Sequence, residues 1–191
     1  MLTLKVTLYQ QQSLLNNFVY SIALRYTVNK GPFMKKIFSL LFIIFLVNIS
    51  AVAKEYNLNK LIQQAKKEDK VLYLFLHRVG CSYCNSMEEF TLDDEAVKAE
   101  LKKDFIFVSI NVTYKEKVYY KDYVGDAKSF AQYIGYDIYP TSLFFDDGKL
   151  DPIESIVGYY DEAEFIKMLR YIGTRAYKTQ SYEEFVKSGK H

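Results

Sequence analysis

Residues Val71 to Cys84 set the terms for the rest of the chain. Val71-Leu72-Tyr73-Leu74-Phe75-Leu76 is a near-continuous apolar run, as a central strand buried on both faces requires. A short polar break, His77-Arg78-Val79-Gly80, follows. Then comes Cys81-Ser82-Tyr83-Cys84, which holds the only two cysteines in the chain. Asn85-Ser86-Met87-Glu88-Glu89-Phe90 continues as helix. A strand leading into Cys-x-x-Cys at a helix start is the arrangement that redox-active cysteine pairs use. The unpaired N–H groups and positive dipole end of the first turn stabilise a thiolate on Cys81. A thiolate, unlike a thiol, attacks disulfides. Cys84 lies one helical turn on, points the same way and closes the ring.

A second segment, Gly135-Tyr136-Asp137-Ile138-Tyr139-Pro140-Thr141-Ser142-Leu143-Phe144-Phe145-Asp146-Asp147-Gly148, lies downstream. Together the two segments resemble the thioredoxin superfamily over residues Lys54 to Gly173. The second is similar to that family's cis-proline segment with its following strand and hairpin. The resemblance implies an α/β thioredoxin-like fold, a central mixed sheet with helices on both faces. It implies a cis Tyr139–Pro140 bond opposite the cysteines, with the Tyr139 backbone presented to a substrate peptide. An ordinary trans proline starting a strand is the alternative.

Targeting comes before fold. Met34-Lys35-Lys36 followed by Ile37 to Val47 reads as a charged region and an apolar core, with Ala51-Val52-Ala53 as the cleavage site. Residues 34–53 are thus expected to be a signal peptide, sending the chain to the periplasm or outside the cell. An uncleaved membrane anchor is the alternative, although the apolar run is short for a span of about 20 residues. Residues 1–33 are expected to be a mis-called or disordered extension. The formal charge of +2 hides an uneven split. Residues 1–53 carry five basic and no acidic residues, leaving 20 basic against 23 acidic in the remainder. No basic stripe is left to argue for nucleic-acid binding.

Along residues 54–175, the expected thioredoxin-like domain, helical spacing puts Leu58, Leu61, Ile62 and Ala65 on one face of a helix over 56–67, with Asn57 or Asn59 as cap. The helix from Cys81 is expected to run to Phe90. A helix over 94–102 follows, with Ala96, Val97 and Leu101 inward. Next are a strand over 105–112, a polar Tyr-rich loop over 113–125, and a helix over 127–134 capped by Asp126 and ended by Gly135. Strands over 141–145 and 153–157 flank a turn at Asp146-Asp147-Gly148-Lys149. Helices over 162–172 and 182–187 close the chain, the last within a 176–191 tail. The family's usual first edge strand is not visible.

The pair's place at the exposed helix start assigns attack on a partner disulfide to Cys81 and resolution to Cys84. No cofactor beyond a redox-active Cys81–Cys84 disulfide is expected. Gly80 stands where the family's reductases usually place a Trp, and is grouped with Tyr139 and Pro140 as substrate-binding. Phe75 stands where they often carry a buried carboxylate, leaving His77 and Glu88 as candidates for proton transfer. Ser82-Tyr83 adds no cation to stabilise the thiolate. The Gly-Cys-x-x-Cys context, the stretch Glu88-Glu89-Phe90-Thr91 and the extra terminal helix are similar to exported thioredoxin-like reductases such as the SoxW type. They are similar too to the soluble terminal domain of membrane-spanning thiol–disulfide interchange proteins. That likeness implies a protein-disulfide reductase or isomerase, and with no dimerisation domain visible in the sequence a monomer is expected. Its partners would be protein thiols and disulfides and a membrane or soluble thiol electron donor, with no nucleic acid. Cys81, Cys84 and His77 are three potential metal ligands, one short of a structural zinc site; the residues leave open a copper-handling chaperone that binds copper(I) through the cysteine thiolates, and a redox-inert module binding peptides in the Pro140 groove. A structural disulfide is a further alternative, although so small a loop stabilises little.

Overall fold

The computed structural model describes residues 54–189. The expected extension over 1–33 and signal peptide over 34–53, together with His191, lie outside the described residues. The first element among the described residues is a short strand, β1 (Glu55–Asn57), which the sequence reading missed. Helix α1 (Leu58–Lys67) follows, capped by the Asn57 side chain, which accepts the Lys60 N–H at 3.0 Å. Asn59 has a different task. Its amide exchanges two hydrogen bonds with the Lys121 backbone, 3.1 and 2.8 Å long.

Strand β2 (Val71–His77) has six wholly buried residues in a row. Each such side chain contributes on the order of 1.5–3 kcal/mol by leaving water. It pairs in parallel with β3 (Phe105–Asn111) and antiparallel with β6 (Thr141–Phe145), which in turn pairs with β7 (Glu154–Val157). The order β3-β2-β6-β7 makes a mixed sheet with β2 inside. Alternation along β2 feeds two cores. Leu72, Leu74 and Leu76 pack with α1 and with α4 (Ala127–Tyr133). Val71, Tyr73 and Phe75 pack with α3 (Glu95–Asp104), α5 (Glu162–Gly173) and α6 (Tyr182–Lys187). Helices therefore cover both faces of this sheet.

Three local expectations are corrected. The Tyr-rich stretch over 113–125 is not a plain loop. It forms a hairpin, β4 (Lys117–Tyr120) and β5 (Tyr123–Asp126), which joins β1 in a separate three-stranded sheet. Alternation drives this: Val118 and Tyr120 turn inward onto the first core while Lys117 stays out. The helix after the cysteines is α2 (Ser82–Ser86) for a single turn, then widens into a π-helical segment over Met87–Leu92. Ala96 is exposed, because the Asp94 cap sets a helix whose Val97 and Leu101, spaced by four, face the core.

At the far end of the sheet Asp146 is almost wholly buried. Its carboxylate accepts from Arg175 Nε at 3.0 Å and from the Tyr177 hydroxyl. Burial alone would raise its pKa. The Tyr177 hydroxyl, the Asp147 backbone N–H and the Arg175 guanidinium outweigh burial and hold the carboxyl below its ordinary range. This cluster ties the β6–β7 turn to the segment after α5. That segment carries Arg175 at a left-handed φ of 59°.

Candidate functional site

The sequence puts Cys81 between the end of β2 and the start of α2, and the backbone there makes it the helix N-cap. Its φ of −100° and ψ of 107° are extended, and its sulfur accepts the Cys84 N–H at 3.1 Å. Cys81 and Cys84 form a disulfide with an S–S distance of 2.13 Å. The two sulfurs are not equally placed. Cys81 retains 8% exposure and Cys84 none. Gly80, just before Cys81, has a φ of +74°, a left-handed turn that a side chain would strain. The loop is held from the side by Thr113, whose hydroxyl accepts the Val79 N–H at 3.0 Å.

Pro140 comes to the same end of the sheet on the neighbouring strand, just ahead of Thr141, which pairs with Leu76 of β2. It is buried, and the Tyr139–Pro140 peptide bond is cis. The Tyr139 carbonyl oxygen lies 3.6 Å from Cys81 Sγ. Two further bonds hold this loop: the Gly158 N–H donates to the Pro140 carbonyl at 2.8 Å, and the Thr141 hydroxyl donates to the Ile138 carbonyl at 2.6 Å. Gly80, Tyr139 and Pro140 thus gather around one sulfur. Val79, Tyr83 and Ile138, each more than half exposed, are apolar side chains in the segments that carry Cys81 and Pro140.

His77 and Glu88 are brought together. His77 ends β2, stacks on Phe75 with ring centroids 5.3 Å apart, and sets Nδ1 3.5 Å from Glu88 Oε1. Its Nε2 is 3.0 Å from the Ser109 hydroxyl on β3. Sequence reasoning missed Ser109, Thr113 and Thr91. Thr91 is fully buried, and its hydroxyl donates to the Tyr160 carbonyl, fixing the π-helical segment to the chain ahead of α5. Each of these contacts joins residues more than 30 apart in sequence. Arg78 was passed over as well. Its charge partly offsets the effects of burial and of Asp137, which together raise the Tyr139 hydroxyl above its ordinary pKa.

The arrangement has the parts for thiol–disulfide exchange: one reachable sulfur bonded to a helix-start N–H, a second sulfur in bonding distance behind it, and a backbone carbonyl beside the first. Among the described residues no group of three or more His, Cys, Asp and Glu is placed to hold a metal ion. Among them, too, no helix is long and apolar enough to cross a membrane.

The family model for the thioredoxin-like domain matches residues 58–173. No curated protein matches the chain significantly. Solved structures do. A thioredoxin-fold protein from Helicobacter pylori is 22% identical with a TM-score of 0.54, over 63% of this chain and 80% of that one. A thioredoxin from Thermus thermophilus is 22% identical with a TM-score of 0.49, over 63% and 88%. The C-terminal domain of DsbD from Neisseria meningitidis, oxidised, is 20% identical with a TM-score of 0.43, over 58% and 89%. At such identity the first of these likenesses speaks to the fold alone.

Proposed function

We propose that this chain, which belongs to the thioredoxin-like domain family, is an exported thiol–disulfide oxidoreductase that reduces or isomerises disulfides in partner proteins. In the reduced state the Cys84 N–H, which bonds Cys81 Sγ in the oxidised state, stabilises a Cys81 thiolate. That thiolate attacks one sulfur of a substrate disulfide. The substrate S–S bond breaks, its other sulfur leaves as a thiolate and takes up a proton, and a mixed disulfide forms at Cys81. Cys84 then loses its proton and attacks Cys81 Sγ. The Cys81–Cys84 bond forms and the second substrate thiolate departs. Two electrons have passed to the substrate. A thiol electron donor, membrane-borne or soluble, restores the dithiol by the reverse exchange.

One observation carries the reading: the two cysteines are unequal, with Cys81 keeping 8% exposure beside the Tyr139 carbonyl and Cys84 fully enclosed behind it. Only the first is reachable by a protein substrate. Extended substrate backbone would pair alongside Tyr139, and Val79, Tyr83 and Ile138 would offer it apolar contact. Export is supported by Met34-Lys35-Lys36, the apolar run after it and Ala51-Val52-Ala53. The acidic balance of the remainder fits a protein substrate and gives no reason to invoke nucleic acid. We read the working form as a monomer with no cofactor beyond the cysteine pair.

The test is insulin reduction by dithiothreitol, with wild type and Cys84→Ser compared. Wild type should accelerate it. The variant should lose at least about 100-fold of that acceleration, because an intramolecular step is replaced by a bimolecular one, and should accumulate insulin linked through Cys81. Full turnover without Cys84, or an inert wild-type dithiol, would overturn the reading.

A further inference from the structure

A cavity of about 290 Å³ opens where the end of β4, the end of α4 and the β6–β7 connection meet. Its floor is Leu143 and Phe145 of β6, which belong to the first core. The π-helical segment that continues the cysteine helix packs through Met87 into the second core, so the cavity lies across the sheet from it. Three tyrosines, Tyr120, Tyr133 and Tyr136, form walls. The Tyr120 ring is held by edge contacts with Phe130 and Phe145, and its hydroxyl donates to the Leu150 carbonyl. It thus offers the cavity a π-face rather than a donor. Tyr133 is backed by Tyr123, stacked with ring centroids 4.9 Å apart. The rim carries one charge of each sign. Lys121 Nζ meets the Asp151 carboxylate and stands 5.5 Å from the Tyr120 ring centroid, within the range of a cation–π contact. Lys121 has a left-handed φ of 50°, and Asn59 holds both its backbone N–H and its carbonyl. An ammonium between an aromatic face and a carboxylate is therefore what this corner already accommodates.

The internal occupant is easily displaced. The Lys121 and Asp151 side chains are 34% and 82% exposed, and so exposed a pair is weak and screened by salt. Burial first, then Asp151 and the other two tyrosines, push the Tyr120 hydroxyl up to about 12, surroundings that disfavour a bound anion. From this geometry we infer that the cavity is a binding site for a trimethylammonium group. The charge of that group faces the rings of Tyr120, Tyr133 and Tyr136 and the Asp151 carboxylate. Its methyl groups pack on Leu143 and Phe145, and Lys121 swings out. A quaternary ammonium holds water less tightly than the primary ammonium of lysine and buries more apolar surface, so it wins the exchange. A free small molecule such as choline and the headgroup of phosphatidylcholine present the same chemistry. The inference stands independently of the exchange cycle proposed above.

The test is isothermal titration calorimetry of the full chain with choline chloride, set against the uncharged tert-butyl analogue in which carbon replaces the nitrogen. Choline should bind with a Kd of about 1 mM, in keeping with so few atoms. The analogue should bind at least about tenfold more weakly, since it has no charge to place on the rings. Tyr133→Leu should weaken choline about fivefold through the loss of one ring, and Asp151→Asn should weaken it as well. Lys121→Gln should tighten it about threefold, because the internal competitor is gone. That opposite sign separates a built site from general damage. Lys121, Tyr133 and Asp151 are all exposed, so the three variants should keep the wild-type circular dichroism. Phosphatidylcholine vesicles tell the two sources apart. Co-sedimentation reversed by choline assigns the headgroup, whereas choline binding without co-sedimentation assigns a free ligand. No saturable choline binding by about 20 mM, equal affinity for the uncharged analogue, or weaker binding by Lys121→Gln would overturn the inference.

Discussion

At the scale of single residues the two cysteines differ by enclosure, and that difference is measurable without a substrate. Native reduced protein treated briefly with iodoacetamide should gain one carbamidomethyl group, on Cys81, and two only after unfolding. Intact-mass spectrometry with peptide mapping reads this directly, and simultaneous labelling of both cysteines would contradict the enclosure of Cys84. The cysteine pair was legible in the sequence because a helix start and a spacing of three are local properties. The proximity of Pro140 was legible only through a family likeness. Ser109, Thr113 and Thr91 were not legible at all. A hydroxyl that bonds a partner more than 30 residues away leaves no local signature, since Ser and Thr are at home on any surface.

At the scale of elements, the apolar run of β2 and the caps of α1 and α4 were plain from residue order, and the ends of α1, α4 and α5 come within two residues of expectation. The β4–β5 hairpin was hidden because Lys117 to Asp126 is short, polar and rich in Tyr. Its partner β1 lies about 60 residues earlier in the chain. A two-stranded hairpin is marginal by itself, so only the third strand and the core beneath made it a sheet. The junction between the β6–β7 turn and the segment after α5 makes its own prediction. Asp146→Asn should cost about 3 kcal/mol, the lower range for breaking a buried ion pair. The folded-state pKa of Asp146 is depressed. Its stabilisation is therefore present above the ordinary carboxylate range near pH 4 and is lost as the pH falls through the folded value. Urea midpoints at pH 7 and pH 3 should drop further in wild type than in Asp146→Asn. Parallel drops would show that Asp146 is not the group responsible.

For the molecule as a whole, redox direction and stability are one quantity seen twice. Closing so short a ring with the Cys81–Cys84 bond stabilises by on the order of 2 kcal/mol on chain-entropy grounds. A protein that gives electrons away is the one whose oxidised fold is the more stable, whereas a strong oxidant has a more stable reduced fold. The proposed reductase should thus melt about 5 °C higher oxidised than reduced. Scanning calorimetry of the two forms decides it, and a higher melting point for the dithiol would reverse the direction of electron flow.

The leading strand has a mechanical meaning. In strand pairing β1 meets β4 alone, outside the four-stranded sheet that carries the cysteines and Pro140, and one side-chain bond, from the Tyr56 hydroxyl to the Ser109 carbonyl, reaches across to β3. Any tension entering from the side of Lys54 is taken up first by three residue pairs of the small sheet. Only the Tyr56 bond passes any of it directly to β3, beside the strand that aims Cys81. The small sheet is in that sense a first anchor, standing between the redox centre and a pull on the chain ahead of it.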